Sequence, residues 1–426
     1  MLREAGERGV MRDVVCLIAC LLMAAASTAQ AQIPPSERQA LLTLYEATGG
    51  DAWSDNSRWN GPAGSECNWT GVFCGYKNGA DTVIAIELSF NHLVGTIPAL
   101  TGLPNLTGLA LAGNQLTGSF PSLNGLPSLE SVSVSDNQLT GPLPSFEGLA
   151  TLRRLRAFGN RLSGSVAGLR ALSGLLEIDL HANEFSGPLP ALDGFADLQY
   201  VNVAHNQLTG VIPALNGVAH LEQFLVAENQ LSGSIPPLAG LTELSEFDAS
   251  RNHLTGSIPS LDGLVLLQVL DLADNQLSGQ IPPLEGHGIF LQAVDLRNNQ
   301  LSGPIPSLHG LSSLGTLYLQ NNALTGTLPS FDGLGHLFYV DLSHNRLSGP
   351  IPALNQLYQL AYARFSFNRL TGTVVQAVPD LFAGQSELCP NYFAATPDPA
   401  WDAATGATPW YRECDTETVF ADGYDD

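Results

Sequence analysis

The strongest constraint on this chain is a spacing, Leu-x-x-Leu-x-Leu-x-x-Asn-x-Leu-x-Gly, seen in Leu267 to Gly279 and repeated from before Asn91 to beyond Asn368. Thirteen copies run in register, with asparagines at Asn91, Asn114, Asn137, Asn160, Asn183, Asn206, Asn229, Asn252, Asn275, Asn299, Asn322, Asn345 and Asn368. The step is 23 residues throughout, except for one of 24. A period in the twenties with one short strand per copy is the signature of a stacked solenoid, in which each unit buries its apolar face against its neighbours. Leu270 and Leu272 alternate with Val269 and Asp271, the period of two expected of a half-buried strand. Such strands side by side predict a parallel sheet on the concave face, roughly 60 Å long at about 4.8 Å per strand. Each Asn falls where its strand ends, and its amide can satisfy turn groups that would otherwise be buried unpaired. The Gly four residues later permits a tight bend. A Pro at the seventh place, as in Pro98, Pro213 and Pro306, disfavours helix. The convex side is therefore predicted to be extended segments and short 3₁₀ turns. A chain of 426 residues built this way forms one elongated domain.

Most copies continue as Gly-x-Ile-Pro, and on this pattern the chain resembles leucine-rich repeat proteins of the plant extracellular subtype over roughly residues 36–415. The units are one residue shorter than that subtype after the Pro, as in Ile97-Pro98-Ala99-Leu100; the copy with Gly286-His287-Gly288 regains the length. The resemblance implies an α/β-type, strand-rich, right-handed curved solenoid with a parallel concave β-sheet, a second sheet on the convex side, and a cap at each end. The expected organisation is a signal peptide over 1–31, an N-terminal cap over 32–82, repeats over 83–380, a C-terminal cap over 381–415 and an acidic tail over 416–426.

The caps have their own composition. Ser36-Glu37-Arg38-Gln39 reads as a capping box opening a helix, with Ala40, Leu41, Leu44, Tyr45 and Thr48 on one face and Gly49-Gly50 ending it. Trp53, Trp59 and the segment Cys67-Asn68-Trp69-Thr70-Gly71-Val72-Phe73-Cys74 follow. That segment resembles the Cys-x-Trp-x-Gly-Val-x-Cys cap of the plant subtype. The tryptophans are read as packing that closes one end of the core. Beyond Asn368 the pattern dissolves into Cys389-Pro390-Asn391-Tyr392, Trp401, Trp410-Tyr411 and Cys414. Four cysteines remain after leader removal. Because the two pairs lie at opposite ends of a rod, Cys67 with Cys74 and Cys389 with Cys414 is the expected pairing.

Residues 1–31 carry Arg3, Arg8 and Arg12, an apolar run from Val14 to Ala26, and Ala29-Gln30-Ala31. This reads as a signal peptide cleaved near Ala31, giving a secreted, periplasmic or cell-surface protein with no membrane span. Leu17-Ile18-Ala19-Cys20 resembles a lipobox, but the apolar run continues past Cys20. The net charge of -23 argues against nucleic acid and anionic membranes as partners.

The chain contains no His-Glu-x-x-His, Gly-x-Ser-x-Gly or phosphate-binding glycine loop, and His181, His205 and His344 lie in different repeats without clustered Cys or acids. No enzyme, metal or cofactor is expected. With Leu and Asn fixed by packing, the positions that can vary with a ligand are the outward ones: Gln268, Val269, Asp271, Ala273 and Asp274 in the copy above. Four residues before the asparagines, the column is acidic in its middle, with Asp248, Asp271 and Asp295. Such carboxylates can pair or bind cations, but a solvated structural role is the simpler reading. Six residues before, Tyr339 and Tyr362 fall on adjacent strands near Tyr318, Phe338, Arg364 and Phe367. Aromatic and Arg clusters of this kind mark interfaces. Arg154, Arg156 and Phe158, with Arg153, form a second patch in a copy whose Pro is replaced by Ala167.

The expected function is a monomeric, non-catalytic recognition protein binding an extracellular protein, peptide or glycan through Tyr318, Tyr339, Tyr362 and Arg364, and secondly through Arg154, Arg156 and Phe158. The resemblance also implies an alternative, inhibition of a secreted hydrolase, since polygalacturonase-inhibiting proteins share the subtype. An ice-binding role needs a regular Thr ladder, which the irregular outward columns do not supply. Asn68-Trp69-Thr70 and Asn105-Leu106-Thr107 are glycosylation acceptor patterns.

Overall fold

The computed structural model describes residues 32–77, 79–287 and 289–414; residues 1–31, expected to be a signal peptide, Asn78, Gly288 and residues 415–426, which include the expected acidic tail, lie outside the described residues. An antiparallel hairpin, β1 (Val72–Lys77) and β2 (Ala80–Glu87), opens a 14-stranded concave sheet. From β2 onward every strand is parallel to the next, ending at Tyr362–Arg364. The strands are only three residues long because leucines and the Asn turn the chain at both ends. In each, the central residue is buried, as are Leu155, Phe247 and Leu270. Register shifts once, between Phe73 and Cys74 in the hairpin, and holds through the parallel strands, so each column of the repeats becomes a straight row across the face: Asp248 opposite Asp271, Asp271 opposite Asp295, Tyr339 opposite Tyr362. A one-residue slip would turn the buried leucines outward.

On the convex side an 11-stranded parallel sheet runs from Val94–Thr96 to Ala323–Leu324, and a three-stranded piece follows from Ser348–Gly349 to Tyr392–Ala394. Where Ala167 stands in place of Pro, the chain instead forms a 3₁₀ helix, Ala167–Ala171. The Ala167 N–H donates to Ser165 Oγ at 3.1 Å, a bond that Pro could not make.

The asparagines form a hydrogen-bonded ladder between the sheets. Asn252, 5% exposed, donates from Nδ2 to the carbonyls of Ala249 and Ser250 in its own turn and of Val226 in the preceding repeat; its Oδ1 accepts from Leu231 N at 2.9 Å. The residue before each of the thirteen asparagines is left-handed, from Phe90 to Phe367, which turns the chain out of the strand. One rung lies beyond the thirteen. Asn391 is buried, accepts from Leu370 N and donates to the carbonyls of Phe365 and Leu388. The turn thus continues into the segment read as cap. At the 24-residue step, buried His287 takes the place that Leu264 and Leu311 fill in neighbouring copies, with Nδ1 3.0 Å from the Leu264 carbonyl.

At the amino end, α1 (Pro35–Ala47) has no capping box: Pro34 is the cap, Pro35 holds the first turn, and Ser36 is already helical. The Pro-Pro pair presets the first turn, since Pro needs no donor there. Glu37 acts elsewhere. It is 1% exposed and accepts from Thr82 Oγ1 and Val83 N, pinning the helix to β2. Trp53, Trp59 and Trp69 are buried and pack in a chain with centroids 4.9 Å apart, Trp53 edge-on to Trp59 and Trp59 tilted against Trp69, each ring N–H donating to a local oxygen. At the other end α2 (Pro399–Thr405) is capped by Asp398 and buries Trp401, whose Nε1 donates to Val375 O. Disulfides join Cys67 to Cys74 and Cys389 to Cys414, one in each cap. No helix among the described residues is long and apolar enough to cross a membrane.

Candidate functional site

The outward positions of the concave strands make two parallel rows, and the chain's unusual chemistry lies on them. Ala273 is not among them: it is buried, because the turn after the strand folds that position under the next repeat. In the row that begins each strand stand Glu246, Val269, Ala293, Thr316, Tyr339 and Tyr362; in the row that ends it stand Asp248, Asp271, Asp295, Tyr318, Asp341 and Arg364.

Tyr318, Tyr339 and Tyr362 are brought together as a ribbon. Ring centroids lie 4.7 Å apart between Tyr318 and Tyr339 and 4.8 Å between Tyr339 and Tyr362, the latter pair stacked. The strand spacing itself sets this distance. The ribbon extends to Phe382 in the cap, 5.2 Å from Tyr362 and 49% exposed, with Phe338 edge-on to both. Two guanidiniums lie over it: Arg297 at 5.3 Å from the Tyr318 ring and Arg364 at 5.7 Å from the Tyr339 ring. Burial pushes the Tyr339 hydroxyl up to about 12, against the opposing Arg364 charge, so the phenol stays a donor at neutral pH. Phe367 is not in the ribbon; it stacks on His344 at 4.1 Å at the turn. Sequence reading missed Phe382 and Arg297. The first lies outside the repeat period, and the second is two residues from its Asn, a position buried in most copies.

The acidic row is first a set of turn caps. Asp248 Oδ1 accepts from the Ser250 N–H and hydroxyl, Asp271 Oδ1 from Ala273 N, and Asp341 Oδ1 from the Ser343 N–H and hydroxyl. This supports the structural reading of these residues. Asp248 and Asp271 remain partly exposed at the ends of their concave strands. Asp295 is paired with Arg297 at 3.3 Å, and Arg364 lies between Asp341 and Glu387. Burial, and next the Asp248 and Asp295 charges, raise the Asp271 carboxyl to about 7; burial raises Asp295 to about 6 against the pull of Arg297. Asp248 is also raised by burial.

The second patch is far from the first. The strand Arg154–Arg156 is seven strands from Thr316–Tyr318, about 34 Å at 4.8 Å per strand. Arg156 makes a bidentate pair with Glu177, Arg154 Nε is 3.8 Å from the same carboxylate, and Phe158 stacks on His181 at 4.5 Å. Arg154, Glu177, Tyr200 and Gln223 line a shallow hollow of about 120 Å³. His181 contacts Asp179, and His205 contacts Glu228. Among the described residues no group of three or more His, Cys, Asp or Glu is placed to hold a metal ion.

Residues 34–75 match the family model described as the leucine rich repeat N-terminal domain, and residues 266–287, 290–311 and 336–357 match the leucine rich repeat. No curated protein matches the chain. Among solved structures it is similar to the plant peptide hormone receptor RGFR1 in complex with RGF2, at 30% identity and a TM-score of 0.68, covering 72% of this chain and 51% of that one. It is also similar to PEPR1 in the PEPR1–AtPEP1 structure, at 26% identity and a TM-score of 0.74, covering 84% and 51%. A bacterial relative is the Leptospira interrogans protein LIC12759, at 25% identity and a TM-score of 0.55, covering 76% and 88%. The chain spans about half the length of the two plant receptor chains. Repeat, amino-terminal cap and neighbours agree: the chain carries a leucine rich repeat N-terminal domain and leucine rich repeats, and its fold is similar to that of plant receptor ectodomains.

Proposed function

We propose that this protein is a secreted, non-catalytic recognition module that binds a peptide or protein on its concave face. Tyr318, Tyr339, Tyr362 and Arg364 are the main contact, and Arg154, Arg156 and Phe158 a second one. The observation that carries the reading is the Tyr318–Tyr339–Tyr362–Phe382 ribbon, a half-exposed aromatic strip with guanidiniums over it on a rigid sheet. Aromatic and Arg side chains dominate binding hot spots, and a preorganised surface loses little entropy on binding. Two similar structures are described as complexes, the receptor RGFR1 with RGF2 and PEPR1 with AtPEP1, which supports a peptide as ligand. A disulfide in each cap suits an oxidising, extracellular setting.

The test is capture of partners from the extracellular medium by wild type and by the Tyr339→Ala/Tyr362→Ala double variant. The wild type is expected to retain a partner that the variant loses, with its thermal midpoint lowered by only a few degrees. Equal capture by both proteins overturns the assignment.

A further inference from the structure

The tyrosine ribbon and the acidic row lie along one line on the same sheet, and their arrangement narrows the kind of ligand. Tyr362 stacks on Tyr339, Tyr318 lies tilted at 41° against Tyr339, and Arg297 and Arg364 sit over the Tyr318 and Tyr339 rings, so much of the ring faces is taken up internally. Ring edges receive apolar and aromatic side chains; a sugar ring needs an open face to lie against. Next to the ribbon the acids are neutralised, Asp295 by Arg297 and Asp341 by Arg364. One and two strands further toward the amino end they are not. Asp271 and Asp248 stand in register, each with Oδ1 engaged in its own turn, and among the described residues no basic side chain lies within ion-pair distance of either. Glu246, beside Asp248, accepts from the Gln223 amide and has no basic partner within ion-pair distance among the described residues. The lane therefore runs from an aromatic end to a negative one whose two carboxylates feel Arg251, His205 and Arg297 at a distance but make no direct ion pair.

We propose that the ligand is a basic peptide segment lying across the strands, with an apolar or aromatic side chain on Tyr318–Tyr339–Tyr362 and a lysine or arginine at Asp248 and Asp271. The inference rests on the concave-face reading above and specifies it. Two to three strands separate Asp271 from Tyr318 and Tyr339, about 10–14 Å, which an extended peptide covers in three to four residues. Bringing a cation there relieves the like-charge contact between Asp248 and Asp271.

The test pans a displayed library of random nonapeptides against the full chain at pH 7.5. The expected result is enrichment of sequences with Lys or Arg three to four positions from Phe, Tyr, Trp or Leu. Asp248→Asn/Asp271→Asn keeps both turn caps and removes both charges, so a selected peptide should bind it about tenfold more weakly, the scale of one lost charge pair. Replacing the peptide's lysine by norleucine should weaken wild-type binding equally and leave the double variant unaffected. Binding to the wild type should also weaken from pH 7.5 to pH 5. The charged groups facing these carboxylates are Glu246, Asp295, Arg297, Arg251 and His205. The proposal is overturned if nothing is enriched, if enrichment carries no cation, or if the Asn variant binds as tightly as wild type. If selected peptides bind Tyr339→Ala/Tyr362→Ala unchanged, the concave-face reading falls with it. A partner captured through the tyrosines but indifferent to Asp248 and Asp271 removes this inference alone.

Discussion

At the scale of single residues, two polar side chains hold this solenoid in opposite ways. An asparagine such as Asn252 is wholly committed to backbone groups. Asn252→Ala leaves the Leu231 N–H without a partner, while the Val226, Ala249 and Ser250 carbonyls each keep another donor, and unfolding in urea should show a loss of about 1–3 kcal/mol, the range for a stranded buried group. Asp271 holds its turn at an electrostatic cost. Its carboxyl is raised to about 7 when folded, above its unfolded value, so the native state binds the extra proton between about pH 4 and pH 7. Stability therefore falls as pH rises through that window. Asp271→Asn retains the oxygen that accepts from Ala273 N and cannot ionise. Its thermal midpoint should match wild type near pH 4, rise above it progressively and keep a constant lead above pH 7. A lead that shrank with rising pH would contradict the cause assigned.

At the scale of elements, α1 depends on one buried carboxylate. Glu37→Ala strands the Val83 N–H, and hydrogen exchange should quicken at β2 and the helix while the central strands keep their protection. This element also shows where sequence reading ran out. The repeat was legible because each Leu and Asn answers to the same packing demand every 23 residues, and its register carried Tyr318, Tyr339 and Tyr362 onto adjacent strands. Ser36 to Gln39 looked like a capping box because spacing alone cannot show that Pro34 and Pro35 already begin the helix. Phe382 belongs to no column, so nothing local placed it against Tyr362. Asn391 did continue the period, with Leu388 three residues before it, but Pro390 and Cys389 stood in places the repeat does not use. Arg154 and Arg156 share one strand and Phe158 follows two residues later, yet their partners Glu177 and His181 come from the next repeat.

For the whole molecule, the sheet is a ruler with a pitch of one strand. Deleting residues 230–252 removes one full period and should leave a folded protein, with an unchanged circular dichroism signal per residue and a modestly lower midpoint, because each repeat contacts only its neighbours. It also sets Leu225 where Asp248 stood beside Asp271, so the variant should fold and yet lose its preference for cationic peptides.

The amide ladder finally gives the molecule a direction in time. Each asparagine reaches back to the repeat before it, Asn114 to Leu93, Asn368 to Leu347, Asn391 to Leu370, whereas at the amino end Asn91 closes on Asp55. A turn is completed only once the following repeat has been synthesised. The growing chain can therefore close its turns in the order in which they leave the ribosome, always one repeat behind, and the rung at Asn391 is the latch that ends the series.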